Sequence, residues 1–304
     1  MSWAPSATGH TVFDLAERVL TGVQWQARAQ AYRQQLDDFL APRLRATAAG
    51  DPVPKFLFSY YSLRPAQLRS WHPGFGVTLA GPEAVQHYRA RRGYAVHGDG
   101  VGVAAEYLRE RVDTVTFIAG LLRATGERPA QLNCFGLHEW AMVYRSDTVR
   151  HGHVPLRLSA AETDTVVESI PLRCTHFDAF RFFTPAAAPR NAGTPSRATQ
   201  IAWEQPGCLH ANMDLYKWCY KLGPLIDSEL LLACLELAAS AREVDMRASP
   251  YDLSDYGYPP ITIESAAGRA EYVRCQSEIA QRAAPLRAAL LARCDLLTDF
   301  AGCQ

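Results

Sequence analysis

Between residues 13 and 45 the apolar positions Phe13, Leu15, Val19, Leu20, Val23, Trp25, Tyr32, Leu36, Phe39 and Leu40 recur at mostly three- and four-residue steps among Arg and Gln. That spacing predicts a long amphipathic helix, broken near Thr21-Gly22 and ended by the Ala-Ala-Gly-Asp-Pro stretch at 48–52. An apolar cluster fills 54–61, a turn is expected at 71–76, and 76–81 has the composition of a short strand. Val103, Tyr107, Leu108, Val112, Val115, Phe117, Ile118, Leu121 and Leu122 predict a second helix over 100–126, stopped by Gly126 with Pro129 beyond. Further helices are predicted over 131–144, 209–222, 227–246 and 268–297. The third of these has Asp227 or Ser228 as cap and Glu229 in its first turn.

The segments 156–158, 166–170 and 171–183 carry β-branched and aromatic residues that suit strands, so a small sheet is expected in the middle third. Two loops are expected, at 186–197 and at the Tyr- and Pro-rich 249–260. The resulting class is α+β, predominantly helical. With no internal repeat and no low-complexity tract, residues 1–304 read as a single domain; the one place for a sub-division is 126–130.

Composition excludes several classes. Of 304 residues, 48% are hydrophobic and 20% charged, which rules out disorder and collagen-like structure. No apolar run approaches the roughly 18 residues of a membrane span, and the first 20 residues lack the basic start and apolar core of a secretion signal. No membrane partner and a cytoplasmic location are therefore expected. The eight cysteines lie at unrelated spacings without a CxxC, so they read as reduced thiols. Lys+Arg 31 balances Asp+Glu 31, but unevenly: bases dominate from Arg28 to Arg92, acids from Asp214 to Glu264. Either the two stretches pair in the fold, or the first is a basic surface for a phosphate-bearing ligand such as DNA.

Histidines, acids and aromatics concentrate in three segments. In 133–144, His138 and Glu139 are adjacent; on a helix they point about 100° apart and form no zinc-protease signature. In 173–183, His176 and Asp178 would share one face of a strand, and an H-x-D pair with a distant His is the pattern of a two-His-one-carboxylate iron site. His210 supplies the distant His and stacks with Asp214 on one helical face.

The leading expectation is an enzyme with a buried His/carboxylate site acting on a small molecule. His138, His176, Asp178 and His210 would be metal ligands, Glu139, Asp178 and Asp214 catalytic groups, and Fe(II) the divalent metal that the ligand types favour. Trp140, Phe177, Trp218, Arg247 and Tyr251 are the expected substrate-binding residues. The bland alternative is a non-catalytic binding protein whose histidines are buried and structural, with Arg247 in a salt bridge to Glu243, Asp245 or Asp252. Cys134, Cys174 and Cys208 lie beside histidines and are candidates for a thiol nucleophile. There is no P-loop, GxGxxG or GxSxG.

The strings LNCFGLHEWAMVYR (132–145), HFDAFRFFTP (176–185), EQPGCLHANMDLYKW (204–218), DMRASPYDL (245–253), GRAEYV (268–273) and FLFSYYSLRPAQLRSWHPG (56–74) resemble a bacterial family abundant in actinobacteria. Members of that family are commonly labelled 3-methyladenine DNA glycosylase. The resemblance implies hydrolysis of an N-glycosidic bond, with Asp178 or Glu139 as the acid and Trp140, Phe177 and Trp218 stacking a flipped methylated base. The basic stretch from Arg28 to Arg92 would then meet DNA.

Overall fold

The computed structural model describes residues 18–146 and 154–302. The chain runs β1 (Arg18–Leu20), α1 (Gly22–Ala48), α2 (Pro52–Ser59), α3 (Pro65–Leu68), β2 (Val77–Ala80), α4 (Pro82–Tyr88), β3 (Tyr94–His97) and β4 (Gly100–Val103). It continues through α5 (Ala105–Arg109), α6 (Val112–Glu127), α7 (Leu137–Ala141), α8 (Ala160–Ser169), α9 (Phe177–Phe180), α10 (Gln200–Trp203), α11 (Leu209–Leu222), α12 (Ser228–Arg247) and α13 (Ala266–Gly302). The class is the one expected, predominantly helical α+β. Local chemistry accounts for the main helix starts. Thr21 and Gln24 form a reciprocal capping box on α1, Asp51 accepts from Val53 N ahead of α2, and Asp227 accepts from Leu230 N ahead of α12.

The sheet lies earlier than the β-branched segments suggested. Its order is β1-β2-β4-β3, with β1 parallel to β2 and the other pairs antiparallel. Residues 100–126 are therefore a strand and two helices rather than one helix. Glycine permits the close approach: a Cβ on Gly100 would lie 2.7 Å from Thr78 Cγ2 and 2.9 Å from the Leu79 carbonyl oxygen. Residues 166–169 belong to α8, because Ser159 and Glu162 form a capping box and Val166 and Val167 bury one helical face. Residues 171–176 form no ladder strand; an isolated bridge joins Leu172 to Asn191, whose side chain also bonds the Cys174 backbone, and α9 follows. In 131–144 the helix is confined to α7, since Phe135 (φ 50°) and Gly136 (φ 67°) turn the chain through the left-handed region. The part of the first predicted helix at 13–17 lies outside the described residues, and Arg18–Leu20 pairs as a strand.

The main apolar cluster extends from Leu20 to Leu297, and α6, α11, α12 and α13 pack at its centre. A second group, which includes Val53, Val143, Met246 and Tyr251, lies under the 249–260 segment. Arg28 reaches Glu229 at 2.9 Å, joining the basic and acidic stretches, whereas Arg69 pairs locally with Asp37. No helix among the described residues is long and apolar enough to cross a membrane.

One titrating group links the sheet to stability. His72 Nδ1 lies 2.9 Å from the Tyr94 hydroxyl, and burial together with nearby Arg91 pushes its pKa down to about 4. The fold thus prefers the neutral ring while the unfolded chain protonates near pH 6.5. The contribution is whole above about pH 6.5 and is lost as pH falls toward 4, at most about 3 kcal/mol. In urea titrations across this range, His72→Gln is expected to flatten the pH dependence relative to wild type; identical slopes would remove His72 from the account.

Candidate metal centre

Side chains from separate segments converge around α11. His210 and Asp214 lie one turn apart on that helix, on the same face. His138 comes from α7, Arg242 and Asp245 from α12, His176 from the cap position of α9, and Glu204 from the end of α10. They form two groups, His138/His210/Asp245 and His176/Glu204/Asp214; within each, the potential ligand atoms lie within 4.8 Å of one another. His210 joins them, its ring edge-on to His138 at 4.4 Å and stacked on His176 at 5.3 Å and 29°.

In the first group His138 Nε2 lies 3.1 Å from Asp245 Oδ1. Both atoms are buried and face each other as an ion pair, and Glu139 Oε2 is buried without a hydrogen-bond partner among the described residues. Arg242 Nη1 donates at 2.9 Å to Glu139 Oε1 and at 2.9 Å to Asp245 Oδ2, which leaves the other oxygen of each carboxylate turned elsewhere. Burial opposes ionisation of Asp245, but His138, His210 and Arg242 around it hold its carboxyl below the ordinary range. Burial likewise opposes charge on His138, and the adjacent Asp245 and Glu139 outweigh it and raise the pKa. His210 is pushed well below its usual value by burial and by His138, so its ring is neutral and keeps a free lone pair.

In the second group His176 Nε2 lies 3.3 Å from Asp214 Oδ2 and 3.4 Å from Glu204 Oε1. Lys217 Nζ donates to Asp214 Oδ2 at 2.6 Å and to Asp178 Oδ2 at 2.9 Å. The Tyr61 hydroxyl donates to Asp214 Oδ1 at 3.2 Å, and Gln200 Nε2 to Glu204 Oε1 at 2.6 Å. Burial raises the pKa of Glu204, helped by Asp214 beside it.

A cleft of about 230 Å³ opens onto the first group. Phe56, Tyr60 and Phe182 form its apolar sides, and Glu139, His210 and Arg242 its polar lining. Phe56 and Tyr60, four apart on and just beyond α2, stack at 4.6 Å, and the Arg242 guanidinium sits 4.0 Å from the centre of the Phe56 ring.

Compared with protein-family models, curated proteins and solved structures, the chain matches none.

Of the residues singled out from sequence, His138, His176 and His210 are brought together, with Asp214 beside His176 and Glu139 beside His138. Asp178 stands outside both ligand groups: it lines the cleft, and its carboxylate is taken by Lys217 and by Arg181 Nε at 3.1 Å. The reason is geometric. His176 and Asp178 share a face only in a strand, whereas here Asp178 sits in the first turn of α9 and points away.

None of the five expected substrate-binding residues lines the cleft. Trp140 is buried and donates from Nε1 to the Ala248 carbonyl at 2.8 Å. Phe177 lies beneath Arg197, and Trp218 packs edge-on against Phe117. Arg247 donates to the Pro259 carbonyl and pairs with Glu271, and Tyr251 packs in the second apolar group. The three thiols named from sequence line a small pocket together with His138 and His210. Burial pushes Cys174 up to about 12 and raises Cys134 and Cys208, so all three stay protonated.

Sequence reasoning missed Glu204, Asp245 and Arg242 as site residues. For the last two a signal existed: the buried face of α12 carries Leu235, Ala238 and Ala241 and then Arg242 and Asp245, charges on an otherwise apolar stripe.

Proposed function

We propose that the protein is a metal-dependent enzyme in which His138, His210 and Asp245 hold a divalent cation beside the cleft. The observation that carries this reading is the approach of His138 Nε2 and Asp245 Oδ1 to 3.1 Å in the interior, with His210 completing a trio of potential ligand atoms. A cation between them would satisfy both atoms in place of the proton they otherwise share. Ligands on a cation with bonds of about 2.1 Å are separated by about 3.0 Å at right angles, which is the spacing seen. Two imidazoles and one carboxylate leave coordination positions open and suit Fe(II), with Mn(II) and Zn(II) as competitors.

Such an ion supplies Lewis acidity to water or to a substrate oxygen. The chain supplies the rest. Glu139, fixed through Oε1 by Arg242, lines the cleft and is its candidate proton acceptor. Phe56, Tyr60 and Phe182 give the cleft apolar, aromatic sides that favour a small, largely flat substrate. The test is metal analysis of untagged protein purified anaerobically without chelator. Near-stoichiometric metal is expected in wild type, with occupancy at least about tenfold lower in His138→Ala and Asp245→Asn at unchanged helical content. A metal-free wild type would reject the reading.

A second reading follows the resemblance to the glycosylase-labelled family and is favoured by Glu139, a carboxylate in an aromatic-walled cleft. There Phe56, Tyr60 and Phe182 would take the stacking role. Release of 3-methyladenine from alkylated DNA by metal-free protein would select it over the first.

A further inference from the structure

We infer that His176, Glu204 and Asp214 form a second divalent-cation site beside the first, so that three imidazoles and three carboxylates hold a pair of ions. This rests on the metal-centre reading above and extends it.

The contacts within the second group are poor hydrogen bonds but good ligand spacings. An imidazolium donating to a carboxylate closes to about 2.7–2.9 Å. His176 Nε2 instead stands off at 3.3 Å from Asp214 and 3.4 Å from Glu204, two acceptors for the single proton that nitrogen can carry. Three ligands on a tetrahedral ion with bonds of about 2.1 Å are separated by about 3.4 Å. The three side chains are all buried.

The neighbouring donors have the arrangement of outer partners that orient ligating carboxylates. Gln200 holds Glu204, and Tyr61 and Lys217 hold Asp214, with Lys217 occupying one lone pair of Oδ2 and leaving the other. Lys217 does not exhaust the negative charge. Asp178 and Asp214 share Lys217, Arg181 holds Asp178, and Glu204 stands against His176 with no Lys or Arg ion pair of its own among the described residues. A divalent cation among these carboxylates would take the place of the proton that otherwise pairs them with His176.

Helix α11 supplies the adjacency. His210 and Asp214 are offset by about 6 Å along the helix axis, on one face, and feed one ligand into each group. The stacking of His176 on His210 keeps the two groups side by side. The proposed ligands are hard-to-borderline divalent ions of the iron, manganese and zinc type, given a donor set of nitrogen and oxygen only.

The experiment is anaerobic titration of chelator-treated full-length protein with Mn(II), read by bound metal per chain and by electron paramagnetic resonance. Wild type is expected to bind two ions with a spin-coupled spectrum, and Glu204→Gln and Asp245→Asn one ion each with an uncoupled six-line spectrum. One ion per wild-type chain with an uncoupled spectrum, lost in Asp245→Asn and kept in Glu204→Gln, would overturn the second site and leave the first standing. No bound ion would overturn both. The wild-type spectrum decides by itself should either variant fail to fold.

Discussion

Replacing Arg242 with alanine is expected to lower the stability of chelator-treated protein by about 3–5 kcal/mol, the usual consequence of removing one partner from a buried ionic group. Arg242 is 1% exposed, and the two carboxylates it holds, Glu139 and Asp245, are 4% and 0% exposed. Without the guanidinium both anions remain in a low-dielectric interior, facing His138 alone. The loss is thus electrostatic more than steric, and a combined variant separates the two. Arg242→Met together with Glu139→Gln and Asp245→Asn preserves volume and removes every charge, and it should recover most of the lost stability in urea denaturation. A loss below about 1 kcal/mol for the single variant would show that the triad is not held by this pairing.

Saturating divalent cation is expected to raise the stability of the chelator-treated wild type by about 4 kcal/mol when free metal exceeds Kd roughly a thousandfold. For a chain of 304 residues that corresponds to an increase in Tm of about 6 °C. Such an ion would bind only the folded arrangement, because its proposed ligands come from α7, α11 and α12 and are dispersed in the unfolded chain. Asp245→Asn should remove most of the shift from the first site. An equal shift in wild type and Asp245→Asn would mean that the metal binds elsewhere.

Local spacing made part of this protein legible from its residues. The bounds of α11 and the cap of α12 follow from apolar periodicity and from Asp227, both properties of a few neighbouring residues. The pairing of His210 with Asp214 on one face is local in the same sense. The sheet was not legible in this way. A short apolar run such as Gly100–Val103 fits a strand or a buried helix equally, and only its partners Val77–Ala80 and Tyr94–His97 decide. Asp178 went to the wrong group because two residues' separation places side chains together in a strand and apart in a helix, and 177–180 folds as a helix.

The sequence by itself determined that histidines and acids would be buried together among aromatics, since side chains of that polarity in apolar surroundings require partners. Which carboxylate meets which imidazole was decided by tertiary structure alone. His138 meets Asp245 across 107 residues, and His176 meets Glu204 across the α10 turn. The packing of α7, α11 and α12 sets those distances, and contacts between distant segments leave no periodic trace along the chain.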